Sequence, residues 1–182
     1  MAEPAAPSIT PLYSEKAIAR RVEELAGEIA ALKFDELIIV AVLKGSFIFA
    51  ADLIRALQRK GLAPEIDFVF LASYGTGITS GGKVEVLRDV ESELKGRDVV
   101  IVDDILDSGR TLAFAKAMLE ARGSRSVRTC VLLDKEVPRT AEIVPDFVGF
   151  HCPPVFVVGY GMDLAHRYRE LPFIGEVTGK KG

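Results

Sequence analysis

The 182-residue chain sets 23 Lys and Arg against 26 Asp and Glu, a net charge of −3, and 49% of its residues are hydrophobic. That balance excludes wholesale disorder and gives no general attraction to nucleic acid, while the length suits one domain that folds without staples. Two cysteines, Cys130 and Cys152, are too few for a disulfide framework, and Cys130 lies in an apolar run as a small buried hydrophobe.

In chain order, the first dozen residues are rich in Ala and Pro and read as a loose arm, without the basic head and apolar stretch of a signal peptide. Ile18, Val22, Leu25, Ile29 and Leu32 recur at three- and four-residue spacing; with Ser14 as N-cap they predict an amphipathic helix over 14–32. The longest wholly apolar run, LIIVAVL at 37–43, falls far short of the ~20 residues a membrane helix needs. It suits a strand covered on both faces. With no leader and no span, a cytoplasmic protein is expected. Residues 47–58 read as a helix ended near Gly61. Strand-like runs follow at 66–72 and 98–102, with a glycine-rich stretch between them. Residues 111–122 are helical and stop at Gly123; 127–133 and 156–158 are short buried strands, and 178–182 is a frayed tail. The alternation predicts a single α/β domain over 1–182 with a central, mainly parallel sheet flanked by helices. Ligands of such sheets sit at the carboxyl ends of the strands.

Two glycine motifs invite and fail a nucleotide-loop reading. GITSGGKV at 77–84 almost spells a P-loop, but Val84 occupies the position of the magnesium-binding Ser or Thr, and 84–87 reads as extended chain rather than a helix start. Gly75-Thr-Gly77 begins a dinucleotide fingerprint, but the third glycine and the following helix are missing. The stretch is best read as a glycine-rich loop long enough to serve as a lid.

The informative segment is VVIVDDILDSGRTL at 99–112. A buried strand is expected to end in Asp103 and Asp104, Asp107 follows, and Ser108-Gly109-Arg110-Thr111 opens a helix. Backbone N–H groups, hydroxyls and a helix N-terminus favour a phosphate. Three carboxylates within five residues repel one another unless they accept ligand hydroxyls or face a cation. One loop therefore offers acceptors for a sugar diol beside donors for a phosphate. The plainer alternative is a solvated acidic turn with Asp107 or Ser108 capping the helix, which accounts for each residue singly but not for the set.

DDILDSGRT at 103–111 resembles the phosphoribosyl pyrophosphate signature of the type I phosphoribosyltransferases. The resemblance covers most of the chain and is closest to the hypoxanthine-guanine members of purine salvage, through VLKGS at 42–46, Ser73-Tyr74, LLDK at 132–135 and FVVGYGMD at 156–163. It implies the type I fold, with a small hood formed by the chain-terminal segments. By this resemblance Asp103 and Asp104 hold the ribose hydroxyls, Asp103 standing where many members carry Glu. Asp107, Ser108, Gly109, Arg110 and Thr111 hold the 5′-phosphate, and Asp107 also serves as general base for the purine's imidazole proton. Lys44 and Gly45 form the pyrophosphate loop, with a cis Leu43–Lys44 peptide expected, and Arg169 contacts pyrophosphate. Lys135 donates to the 6-oxo group, Phe156 stacks on the base, and the Val157 main chain meets its edge. Asp163 lies at the purine and, with Asp103 and Asp104, takes part in binding magnesium. Ser73 and Tyr74 open the lid. His151 and His166 lack metal-ligand spacing and receive no role.

The resemblance thus implies a magnesium-dependent transferase that joins hypoxanthine or guanine to phosphoribosyl pyrophosphate, releasing pyrophosphate and IMP or GMP, and that assembles as a homodimer or homotetramer. Alternatives on the same fold are a transferase for xanthine or uracil and a nucleotide-sensing RNA-binding regulator; the acidic balance argues against the last.

Overall fold

A computed structural model describes residues 7–74 and 83–178. In chain order these form β1 (Ser8–Tyr13), α1 (Glu15–Ala30), β2 (Leu37–Leu43), α2 (Phe47–Arg59), β3 (Glu65–Tyr74), β4 (Lys83–Arg88), β5 (Asp98–Leu106), α3 (Arg110–Glu120), β6 (Ser126–Lys135), β7 (Phe147–Cys152), β8 (Val157–Val158) and β9 (Ile174–Thr178). The main sheet runs β4-β3-β2-β5-β6-β7 and is parallel except for β4, which pairs antiparallel with β3.

Burial on both faces explains why β2 reads as an unbroken apolar run. Ile39 and Ala41 join a cluster with Ile18 and Leu25 of α1 and Phe49 and Leu53 of α2. Ile38, Val40 and Val42 point the other way, into a cluster with Leu112, Ala115 and Leu119 of α3. Adjacent residues of a strand face opposite sides, so a strand covered twice must be apolar at every position. From β2 the chain adds β3 on one side and then returns to place β5 on the other. The β2/β5 junction is therefore the point where strand order reverses, and a crevice opens there beyond the carboxyl ends.

The helices follow their local signals closely. Ser14 caps α1, its Oγ accepting from the Ala17 N–H at 3.3 Å, with Glu15 in the positive first turn. The helix ends at Ala30, two residues short of its expected limit. Leu32 lies beyond it and is 44% exposed, so it is not part of the buried stripe. Arg21 leaves the helix to donate to the carbonyls of Gly149 (3.0 Å) and Val148 (2.8 Å), covering polar groups on edge strand β7.

Two expectations need correction. Residues 8–12 are not a loose arm: they lie in β1, which pairs antiparallel with β9 from Ser8↔Thr178 to Tyr13↔Ile174, and β8 completes a three-stranded sheet on the far side of β9. Thr178, expected in the tail, is the last residue of β9. This small sheet is the hood of terminal segments. Its pairing spans almost the whole chain, and Pro11 sits at a register shift on an edge strand, where a missing N–H is tolerated. Tyr13 fastens it to the main sheet, stacking on Phe150 at 4.4 Å and donating its hydroxyl to the His151 carbonyl at 2.7 Å. The second correction concerns β5. It continues to Leu106 because β6 supplies partners as far as Leu106↔Asp134, so Asp103 and Asp104 lie within the strand rather than at its end. Among the described residues no helix is long and apolar enough to cross a membrane.

Candidate active site

Two adjoining cavities of about 280 and 430 Å³ occupy the crevice and share Leu43, Lys44, Gly45, Leu71, Asp104, Ile105 and Asp107. The first extends over Asp103, Ser108, Gly109 and Thr111; the second runs to Lys135, Phe156, Val157, Asp163 and Arg169. Most of the residues singled out in the sequence therefore meet in one place.

The floor is set by the turn leaving β2. The Leu43–Lys44 peptide is cis, as expected. Ser46 precedes α2 in the manner of a cap, but its buried hydroxyl donates instead to the Val42 carbonyl at 2.5 Å and closes the turn. Gly45 leaves room for Asp104: a Cβ would lie 1.9 Å from Asp104 Oδ2 and force that carboxylate to move. The Lys44 ammonium rests over the Phe70 ring, 5.3 Å from its centre.

Asp103 is buried and accepts from the Asp104 N–H at 3.0 Å. Burial, and then the neighbouring Asp104 charge, push its carboxyl well above the ordinary carboxylate range. Burial raises Asp104 as well, while its hydrogen bonds and the Arg169 charge pull in the opposite direction. A pair in this state gains from a cation or from hydroxyls that donate to it.

Beyond Asp107 the chain turns through Gly109, at φ +83°, into α3. No side chain caps that helix, so its first-turn N–H groups remain available to an anion. Arg110 departs from expectation. It lines neither cavity, and its Nε donates to Thr140 Oγ1 at 2.9 Å, so that nitrogen is engaged by the loop after β6.

At the other end, Lys135 pairs with Asp107 at 3.2 Å. Phe156 is 52% exposed at the cavity mouth, and Val157 enters the hood sheet opposite Glu176. Asp163 accepts from the Arg169 guanidinium at 2.7 Å and from the His166 N–H at 2.7 Å. Arg169 also donates to the Gly161 carbonyl at 2.5 Å. Neither histidine lines the cleft. Ser73 and Tyr74 end β3, paired with Val84 and Lys83 of β4; the lid and both glycine motifs proposed over 75–84 fall largely or wholly on 75–82, outside the described residues.

Several supporting residues carried no sequence signal of their own. Tyr160, buried between two glycines, donates to Asp52 of α2 at 2.6 Å and anchors the loop that bears Asp163. Gly161, at φ +100°, packs so close to the first turn that a Cβ would stand 2.2 Å from the Gly45 carbonyl. The Thr140 and Ala141 N–H groups donate to the Ser108 carbonyl at 2.9 and 3.3 Å. Of these, Tyr160 and Gly161 fall in the 156–163 segment that carries the resemblance.

Residues 8–164 match the phosphoribosyl transferase domain family. The chain belongs to that family. It is 41% identical over 170 residues to the hypoxanthine phosphoribosyltransferase of Salmonella typhimurium, covering 92% of this chain and 94% of that protein. To the hypoxanthine-guanine phosphoribosyltransferase of Bacillus subtilis it is 42% identical over 165 residues, covering 90% of each. Among solved structures, a hypoxanthine-guanine phosphoribosyltransferase from Bacillus anthracis, with a HEPES molecule in its active site, superposes with a TM-score of 0.86 at 42% identity, covering 93% of this chain and 99% of that one. The mainly parallel sheet with a terminal hood is thus a phosphoribosyltransferase fold, and the cleft lies where the sheet's order reverses.

Proposed function

We propose that the chain is a purine-salvage transferase that joins hypoxanthine or guanine to phosphoribosyl pyrophosphate, yielding IMP or GMP and pyrophosphate. One observation carries this reading: a single cleft brings together a carboxylate pair suited to a sugar diol, an uncapped helix N-terminus suited to a phosphate, and a strand-end lysine beside an exposed aromatic ring. The names of the relatives support it.

In this reading Asp103 and Asp104 accept the ribose hydroxyls, and the Ser108–Thr111 turn with the start of α3 holds the 5′-phosphate. Phe156 stacks on the purine and Lys135 donates to its 6-oxo group, which suits an ammonium as the amino group of adenine does not. The purine's imidazole proton passes to Asp107, the ring nitrogen bonds to ribose C1′, and the C1′–oxygen bond to pyrophosphate breaks, its electron pair leaving with pyrophosphate. Lys44 and Arg169 stabilise the leaving charge. The Lys135 pairing keeps the Asp107 carboxylate at the boundary between the two cavities, where the attacking nitrogen would lie.

Magnesium fits the donor set in part. The buried acidic pair offers hard oxygen ligands, yet among the described residues no three His, Cys, Asp or Glu side chains converge to hold an ion alone. Asp103, Asp104 and Asp163 would therefore share it with substrate oxygens and water. When bound it supplies positive charge to the pyrophosphate.

The chain is further read as a cytoplasmic homodimer or homotetramer, which light scattering measures. The deciding experiment offers hypoxanthine, guanine, xanthine, adenine and uracil separately, with phosphoribosyl pyrophosphate and magnesium, and follows pyrophosphate release. Turnover with hypoxanthine or guanine alone is expected. Turnover with xanthine or uracil alone would reassign the base, and folded protein that turns over none would overturn the reading.

A further inference from the structure

The loop between β6 and β7 lies outside both cavities, yet it touches the phosphate turn at several points. The Thr140 and Ala141 N–H groups and the Thr140 hydroxyl (3.2 Å) all donate to the Ser108 carbonyl. The Ala141 carbonyl and Ile143 Cγ2 stand 3.0 Å from where a Gly109 Cβ would be. A peptide unit is planar and trans, so its C=O and N–H point in opposite directions. Holding the Ser108 carbonyl outward against this loop turns the N–H of Gly109, the other half of the same unit, towards the cavity that Gly109 lines.

The loop contains no helix or strand, so something else must hold its shape. Arg139 does this. One guanidinium nitrogen donates to the Ile143 carbonyl at 2.6 Å and another pairs with the Asp134 carboxylate, with about a quarter of the side chain exposed. Asp134 is fixed in β6 immediately before Lys135, opposite His151 of β7, whose Nδ1 lies 3.5 Å from it. The fork thus ties the far side of the loop to the strand that carries the base-recognising lysine.

We infer that Arg139 is a positioning residue for the 5′-phosphate: through the 139–143 loop it orients the Ser108–Gly109 peptide whose N–H faces the phosphate. The inference rests on the proposed phosphoribosyl reading and adds a residue that touches neither substrate. Because the loop that Arg139 holds meets the phosphate turn, while Lys135 is fixed within β6, its loss should weaken ligands that carry a 5′-phosphate more than those that lack one.

The test is calorimetric binding of IMP and of inosine to the wild-type chain, Arg139→Met and Arg139→Lys, with thermal melts of each. Arg139→Met is expected to raise the Kd of IMP about tenfold, the scale of one charge-assisted hydrogen bond, and to leave inosine within about twofold. Arg139→Lys keeps a charge near Asp134 but not the planar fork, and should fall between the two. Equal weakening of both ligands would make Arg139 merely structural and overturn the inference, as would an unchanged IMP to inosine ratio. If Arg139→Met does not fold, the same ratio is read on Arg139→Lys, and an unchanged ratio there is equally fatal. Wild-type protein that binds neither ligand would instead overturn the phosphoribosyl reading, and the inference with it.

Discussion

Gly45→Ala tests whether the first turn and the acidic pair form one device. The added methyl would lie 1.9 Å from Asp104 Oδ2 and 2.6 Å from its Cγ, about 1.5 Å short of the 3.4 Å at which ordinary contact begins. The atoms it meets belong to a short side chain rather than to backbone, so the carboxylate yields and the fold survives. A displacement above 1 Å at a group that orients the reacting sugar costs on the order of 10²-fold in rate. The expected result is a ~10²-fold fall in kcat/KM for phosphoribosyl pyrophosphate, with the melting temperature lowered by less than roughly 3 °C. Initial rates of pyrophosphate release at saturating hypoxanthine and a thermal melt measure both. In an Asp104→Ala background the clash has nothing to strike, so Gly45→Ala should add little to the loss already present. A Gly45→Ala variant within threefold of wild-type kcat/KM, or additive losses in the double variant, would refute the reasoning.

Asp107→Asn should keep substrate binding while lowering turnover ~10²-fold, and full activity would remove its role as base. Gly161→Ala differs from the change at Gly45, because its methyl meets the Gly45 backbone carbonyl at 2.2 Å from a φ of +100°. Its melting temperature should fall by about 5 °C or more, together with activity. Asp98 is held down to about 2 chiefly by the Arg125 hydrogen bonds, against the burial that opposes them. A depressed carboxylate contributes stability in full above its unfolded value near ~3.9 and loses it as pH falls towards the folded one. Asp98→Asn should therefore melt roughly 2–4 °C lower at pH 7, with the gap closing between about pH 4 and pH 2; a gap independent of pH would contradict the assignment.

Much of this protein is written locally. The helix stripes, the Ser14 cap and the twice-buried strand β2 follow from spacing and polarity within a dozen residues, because those signals depend on neighbours in the chain. The acidic pair followed by Ser-Gly-Arg-Thr is local as a sequence motif, running from within β5 through a turn into the start of α3.

Contacts between distant segments left no such mark. Ser8–Tyr13 became a strand only by pairing with Ile174–Thr178, and β5 reached Leu106 only because β6 ran beside it. Arg110 looked like a phosphate ligand in its motif, but Thr140, thirty residues on, takes its Nε. Arg139 drew no reading from the sequence, and only the fold brings its fork to Asp134 and the Ile143 carbonyl. Composition and spacing determined which chemical groups the chain carries and which short segments become helix or strand. Where each side chain points was decided by the fold, because a long side chain takes whichever partner the packing of remote segments brings within hydrogen-bond reach, and that partner's identity is not encoded nearby.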